Sequence, residues 1–337
     1  MGHRQQVGQR LSHLFFQRLL AFRQRSVEIE GDQFFHKGKL LESLSAAATI
    51  NWAIGKSICL GEKTQPMFDQ IGSDWTLLGQ GKSSEVFRMG DGEVIKIFHP
   101  AVSEDMIERE MAAARLATSL RLSTAAPRLR VTVARNSALI YPEISGVSIA
   151  AAIRKKPLSA ASLLRDMAAL LQTVHRQPVS GLRPVKSVLQ TDIDYGPAPD
   201  AIKRAAIDYL QALPEADHLL HGDFHIDNIL LSEGSLVILD WAKAAIGDPA
   251  ADAVRSEMLM RFGEGPADAI TILWRDWAAG RLGHAYRDVS SVSKDQMSLW
   301  RPVVALAWLR ARPPVRNRAF HRYLDQALRS AGLPALN

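Results

Sequence analysis

One stretch of the chain concentrates groups that can do chemistry: Leu220-His221-Gly222-Asp223-Phe224-His225-Ile226-Asp227-Asn228-Ile229-Leu230-Leu231. A carboxylate, Asp223, and a carboxamide, Asn228, stand five residues apart on a loop that runs straight into an apolar strand. Twelve residues after Asn228, the next apolar strand, Val237-Ile238-Leu239, ends in Asp240-Trp241. Residues at the ends of adjacent strands lie side by side, so Asn228 and Asp240 present hard oxygens to one space. A few hard oxygen ligands are what Mg²⁺ takes when phosphate and water complete its octahedron. Asp223, close by, is placed to accept a hydroxyl proton or to aim a hydroxyl. A single aspartate would read as a turn cap. The full pattern His-x-Asp-x-x-x-x-Asn, followed by a strand-ending Asp, reads as machinery for phosphoryl transfer.

The elements that must position these groups lie upstream. Gly79-Gln80-Gly81-Lys82-Ser83-Ser84 falls between two predicted strands, where glycine allows backbone N–H groups to approach phosphate. Gly79, Gly81, Ser83 and Ser84 are the candidate contacts. Two better-known phosphate loops are excluded. A P-loop would need glycine at Thr76, and a dinucleotide fingerprint would need a third glycine and a following helix, where this chain has Ser84 and a hairpin. Lys96 interrupts the apolar strand Val94-Ile95-Lys96-Ile97-Phe98, on the opposite face from Ile95 and Ile97. Its distance from the glycine-rich hairpin suits a lysine lying under nucleotide phosphates. The helix that follows offers Glu108 and Glu110 as partners for its ammonium. Glu110 is the better phased with the apolar stripe through Ala112-Ala113-Ala114-Arg115-Leu116, and Glu108 remains open as the alternative.

The chain of 337 residues is 47% apolar and 23% charged, enough to fill a sizeable core and incompatible with wholesale disorder. A lone cysteine, Cys59, excludes an intramolecular disulfide framework and a cysteine-based zinc site. No run of apolar residues is long enough for a membrane span, and Arg18 and Arg23 interrupt the only signal-like stretch, so a soluble cytoplasmic protein without stable membrane insertion is expected. The net charge of +6 is unevenly placed, with Arg310, Arg312, Arg316, Arg318, Arg322 and Arg329 near the end of the chain. This reads as a solvated helical face. No nucleic-acid motif accompanies it, and a nucleic-acid partner is not expected.

Three segments are expected. Residues 1–70 form an N-terminal extension with an amphipathic helix pattern at Leu11, Leu14, Phe15, Leu19 and Phe22, and Met67 would serve as an alternative start. Residues 71–147 alternate as short strands around one helix. That helix is capped by Ser103, and Gly90-Asp91-Gly92 marks a hairpin turn. Residues 148–337 are mainly helical. Ser159 is read as a helix cap, Trp274, Trp277, Trp300 and Trp308 as core anchors, Asp248 and Asp252 as caps of the helix near Pro249, and His175, His221 and Trp241 as packed residues. The fold class is α+β, with a small antiparallel sheet and helix preceding a larger helical part.

The order of glycine-rich hairpin, strand lysine, helix glutamate, His221-Gly222-Asp223-x-His225-x-x-Asn228 and Asp240-Trp241 resembles the aminoglycoside phosphotransferase-like family, with its two-lobed protein-kinase-like fold. Gly247-Asp248-Pro249-x-x-Asp252 and Leu170-Leu171-x-x-Val174-His175 are similar to that family as well. The resemblance implies an ATP- and Mg²⁺-dependent kinase acting on a hydroxyl of a small molecule. It implies that Asp223 is the catalytic aspartate, that His225 lies near the γ-phosphate, and that Asn228 and Asp240 hold Mg²⁺. Lys96 would hold the α- and β-phosphates, fixed by Glu110, and the hinge Tyr141-Pro142-Glu143-Ile144 would receive the adenine at Glu143 and Ile144. Pro142 and Ser84 depart from the family pattern, the latter replacing the last glycine of the kinase loop. The net basic C-terminal part favours an uncharged or anionic acceptor over a polycationic one. A kinase-like nucleotide-binding module without turnover is the alternative. A protein kinase fits less well, since the interval from Asp240 to Asp252 holds no Ser, Thr or Tyr.

Overall fold

The computed structural model describes residues 67–266, 268–311 and 316–336. The amphipathic pattern from Leu11 to Phe22 lies outside them. The first part is a six-stranded sheet, β1 (Met67–Phe68), β2 (Thr76–Gln80), β3 (Ser84–Gly90), β4 (Glu93–Phe98), β5 (Leu129–Val133) and β6 (Asn136–Pro142), with α1 (Glu104–Ser119) between β4 and β5. The strand order is β1-β5-β6-β4-β3-β2, antiparallel except for the β1–β5 pair. The β3–β4 turn is tight because Gly90, Asp91 and Gly92 all take positive φ, at 107°, 52° and 71°, a conformation that glycine and aspartate adopt most readily.

Period-two alternation divides the sheet into two faces. On one, Ile95 and Ile97 bury against Val131, Val133, Ala138 and Ile140, with Phe68, Trp75, Phe87 and Met89 at the margin. On the other, Phe98 and Leu139 pack with Ile107 of α1. Ser103 caps α1 by accepting from Met106 N–H at 3.4 Å, and Glu104 and Asp105 occupy the first turn, where the helix dipole favours acids. The buried stripe of α1 is Ile107, Glu110, Ala113, Ala114 and Ala117, so the one charged residue in it is carried inward by the helical period.

The second part opens with β7 (Val147–Ser148) and comprises α2 (Ile149–Lys155), α3 (Ala160–His175), α4 (Val185–Asp194), α5 (Asp200–Ala212), β8 (His218–Leu220), β9 (Ile229–Ser232), β10 (Ser235–Ile238), β11 (Ala245–Gly247), α6 (Pro249–Phe262), α7 (Ala269–Val289), α8 (Lys294–Ala311) and α9 (Asn317–Ser330). Two small sheets, β10-β9-β7 and β11-β8, frame the loop that carries Asp223. Nearly every residue of α6 is buried, the mark of a helix surrounded by others. None of the described helices is long and apolar enough to cross a membrane.

Two sequence expectations are corrected. Ser159 stands at the N-cap position of α3 without capping it; its hydroxyl donates to the Lys156 carbonyl at 2.6 Å, closing the short helical turn that precedes α3. Of the four tryptophans expected in the core, Trp300 and Trp308 are fully buried, whereas Trp277 is 46% exposed on the outer face of α7. Trp300→Ala should therefore cost about 3–5 kcal/mol in urea unfolding. Trp277→Ala should stay within about 1 kcal/mol, and equal losses in the two variants would show that this placement is wrong.

Candidate active site

Lys96 and its partners join the two parts of the fold. The alternation of β4 turns Lys96 toward α1, where it is only 8% exposed. Its Nζ donates to Glu110 Oε1 at 2.6 Å and to Asp240 Oδ1 at 3.3 Å, and Tyr141 Oη donates to the same Glu110 oxygen at 3.0 Å. Of the two glutamates offered by α1, Glu110 takes the ammonium, and Glu108 sits at Arg130 instead. Burial works to lower the pKa of Lys96, but Asp240 and Glu110 outweigh it and the net shift is upward, so the ammonium stays charged. Burial also opposes ionisation of Asp240, yet Lys96 prevails and holds its pKa below the ordinary value. Glu110 is pushed up by burial against the pull of Lys96. Two carboxylates thus share one ammonium.

The glycine-rich hairpin joins β2, at the edge of the sheet, to β3. Gly81 N–H donates to the Ser84 carbonyl at 2.9 Å, and the Ser83 carbonyl accepts from His99 N–H at 2.8 Å. A Cβ at Gly79 would meet nothing within 4 Å, and one at Gly81 would meet only the Ser84 carbonyl at 3.7 Å. The space over both glycines is therefore open to a group from outside the chain. Ser84 is buried, and Lys82 reaches Glu264, just beyond α6, at 2.5 Å. Just past β6, Glu143 N–H extends the ladder to the Gly92 carbonyl at 2.7 Å, and its carboxylate takes Arg88 at 2.6 Å. Ile144 follows, half-buried, between β6 and β7.

The loop from His221 to Asn228 is held mainly through its backbone. His221 N–H and Gly222 N–H donate to the two carboxylate oxygens of Asp252 at 2.8 and 2.9 Å. Asp252 also takes His175 Nε2 at 3.1 Å, and His175 Nδ1 lies 2.5 Å from Tyr286 Oη. Gly222 has φ +77°, and a Cβ there would lie 2.1 Å from the Lys243 carbonyl oxygen, so no other residue fits. His221 is fully buried, accepts Asp223 N–H on Nδ1 at 3.2 Å and reaches the Leu239 carbonyl with Nε2 at 3.0 Å. Those two bonds require the neutral tautomer with its proton on Nε2. Asn228 donates its amide to the Asp223 carbonyl at 2.9 Å, and Leu239 N–H donates to the Asn228 carbonyl at 2.8 Å. The residue after Leu239 is Asp240, with φ +61°, a strained conformation that aspartate tolerates and that turns the chain toward Lys96.

The structure thus brings Lys96, Glu110 and Asp240 into direct contact and ties Asp223 and Asn228 to that cluster through Leu239. His225 turns instead to its neighbour Asp227, accepting its N–H on Nδ1 at 3.3 Å. Among the described residues no group of three or more His, Cys, Asp or Glu side chains could hold a metal. The residues that could hold Mg²⁺ are Asp240 and Asn228, the latter through its side-chain oxygen, since its amide nitrogen is already bonded. Two hard oxygen ligands fit a cation that takes its remaining ligands from phosphate and water.

Asp248 caps α6 by accepting Ala250 N–H at 2.8 Å. Asp252 does not cap; it lies one turn inside and anchors the Asp223 loop. The signal for this was its composition: an acid inside a helix buried on all sides must find partners. Arg255, whose Nε donates to the Gly222 carbonyl, carried no sequence signal.

The sequence matches the phosphotransferase enzyme family over residues 74–282. No curated protein matches it. Among solved structures, amicoumacin kinase hAmiN in complex with AMP-PNP, Ca²⁺ and Ami is 15% identical, with 77% of this chain and 89% of that one covered at a TM-score of 0.53. An aminoglycoside-3'-phosphotransferase of type VIII is 14% identical, with 69% and 93% covered at 0.50. At these identities the likeness is one of fold, the two-lobed α+β protein-kinase-like fold expected from the motifs.

Burial lowers the pKa of His221, more strongly than Asp252 and its other acidic neighbours raise it. In the unfolded chain the ring takes up a proton below about pH 6.5, whereas the folded protein keeps it neutral to lower pH. The unfolded state then binds more protons, so stability should decline as pH falls from about 6.5. Urea unfolding of His221→Gln should show a flatter pH dependence in that window, and an unaltered slope would place its origin elsewhere.

Proposed function

The chain belongs to the phosphotransferase enzyme family, and we propose that it is an ATP- and Mg²⁺-dependent kinase that moves the γ-phosphoryl group onto a hydroxyl of a small molecule. The observation that supports this most is the junction at Leu239-Asp240, where the Lys96–Glu110 pair meets the loop carrying Asp223 and Asn228. In this reading Lys96, kept cationic and aimed by Glu110, binds the α- and β-phosphates. The backbone around Gly79, Gly81, Ser83 and Ser84 covers the phosphates from the open side of the hairpin. Asn228 and Asp240 would hold Mg²⁺, which when bound would supply positive charge against the phosphates. The hinge at Glu143 and Ile144 receives the adenine through backbone groups, and His225 lies on the γ-phosphate side of the loop. Residues 71–147 then serve as the nucleotide-binding lobe and 148–337 as the lobe holding the acceptor.

Asp223 acts on the acceptor. Its carboxylate orients the hydroxyl and takes the proton as the oxygen–phosphorus bond forms and the bond between the γ-phosphorus and the bridging oxygen of ADP breaks. Phosphoryl transfer depends chiefly on positioning and charge stabilisation, so these few groups suffice. Asp252 and His221 serve by holding the backbone that leads into Asp223.

Asp223→Asn should lower kcat by about 10²–10⁴-fold and leave the affinity for MgATP within about threefold, read by ADP release and by calorimetric titration. Turnover at the parental rate would remove Asp223 from the mechanism. Firm MgATP binding by the parent, with no transfer to any alcohol, would favour the non-catalytic module instead.

A further inference from the structure

Helix α6 continues past the reacting groups to a second cluster of charge. Arg255 meets the carbonyl of Gly222, the residue before Asp223, and marks the level of the reaction along the helix. Two turns on, roughly 10 Å along the axis, α6 ends at Phe262, and three guanidinium groups converge. Arg261 of α6, Arg316 beside the start of α9 and Arg322 within it line a cavity of about 320 Å³ together with Phe262, Tyr323 and Gln326.

The cluster is organised before any ligand arrives. Asp276 of α7 receives Arg316 through two bonds of 2.7 and 3.0 Å, and Arg261 Nε lies 3.4 Å from the same carboxylate. Arg316 stacks over Phe262 at 5.7 Å and Arg261 over Tyr323 at 6.0 Å, contacts that hold a planar guanidinium in one orientation. Behind them Arg275 is buried and donates to the carbonyls of Leu259, Met260, Gly263 and Glu264. Burial lowers its pKa, and Arg316 adds to that effect, with Asp227 and Asp276 as the opposing carboxylates. Three guanidinium groups therefore line the cavity beside one carboxylate, Asp276. Arg322 is exposed and forms no ion pair with a described residue. On the solvated face that the sequence suggested, Arg322 thus stands beside Arg261 and Arg316 in a shallow, positively charged depression.

Its position ties it to the reaction. Asp227, whose charge acts on Arg275, belongs to the Asp223 loop. Glu264, a carbonyl partner of Arg275, pairs through its side chain with Lys82 of the glycine-rich hairpin. We propose that this cavity is the subsite for an oxyanion of the acceptor. The substrate is then a hydroxylated molecule that also carries a phosphate or carboxylate. The assignment rests on the kinase reading above. Arg322, with no ion pair to a described residue, can offer its guanidinium fork to an oxyanion, the charge of Arg261 and Arg316 adds to the attraction, and the same field repels a polycationic acceptor.

Two measurements test it. Binding of inorganic phosphate is titrated in the presence of saturating MgAMP-PNP, for the parent, Arg322→Glu and Arg261→Gln. Initial rates are compared for matched alcohols with and without a phosphate, and with and without a carboxylate. Phosphate affinity should fall by about tenfold or more in both variants, and the charged member of a pair should be the better substrate. Its KM should rise by about tenfold in Arg322→Glu while kcat holds within about twofold, and Arg322→Lys should recover part of the loss. The phosphate and carboxylate series together identify which oxyanion the site takes. Unaltered phosphate binding in Arg322→Glu, or loss of binding with every KM unchanged, would overturn the proposal while normal MgAMP-PNP binding left the kinase reading standing. Failure of the parent to bind MgAMP-PNP would sink the kinase reading itself and the acceptor subsite with it.

Discussion

The arrangement depends on one buried ammonium. Lys96 contacts Glu110 from the helix of the first part and Asp240 from the strand end of the second. An ammonium so enclosed is tolerable only because two carboxylates face it. Removing either one leaves the other pair's geometry unsupported, and removing Lys96 leaves two acids facing each other in a low dielectric. Buried ion pairs contribute little net stability once desolvation is counted. Their value lies in position: the bonds to Lys96 require the sheet, α1 and the Asp240 turn to be in register at once.

The same logic governs the loop around Asp223, where a buried acid substitutes for secondary structure. Asp252 accepts the N–H groups of His221 and Gly222, which stand in a bend that no strand partner could satisfy. Burial opposes its ionisation, but His175, His221 and these N–H groups hold its pKa below the ordinary value. Gly222 is confined by the Lys243 backbone and His221 by two bonds of fixed polarity. Asp223 therefore begins from a backbone with little freedom, which is how a carboxylate keeps its aim without a rigid element of its own. Arg255 closes the bend from α6, so the central helix of the second part holds both the N–H and the carbonyl of Gly222.

Charge then separates along α6. Near its start Asp248 and Asp252 face inward, and near its end Arg261, Arg275 and Arg316 gather around Asp276. The acids at the start are taken up by the helix cap and the Asp223 loop, and the arginines gather where the helix ends near the surface, so opposite charges stand at the two ends of one scaffold.

How much of this was legible depends on the range of the interaction. The strands β3 and β4 with their turn, helix α1 with its Ser103 cap, the spacing of Asp223 and Asn228, and the inward phase of Glu110 follow from periodicity and local backbone chemistry, which a sequence carries directly. So does the loop-strand-strand unit ending in Asp240. What the sequence left undecided, or misread, was settled by partners far away in the chain. The choice of Glu110, which the phase of α1 favoured, over Glu108 was closed by the bond to Lys96, with Arg130 taking Glu108. Asp252 was read as a cap because a cap is a local role, whereas its partners His175 and His221 come from other elements. Trp277 matched a core pattern by composition, yet the rotation of α7 against its neighbours turned it outward. The arginines of α9 read as solvated because their spacing suits an exposed face. Only the fold brings Arg322 of α9 beside Arg316 and Arg261 of α6, since convergence of like charges leaves no trace in local spacing.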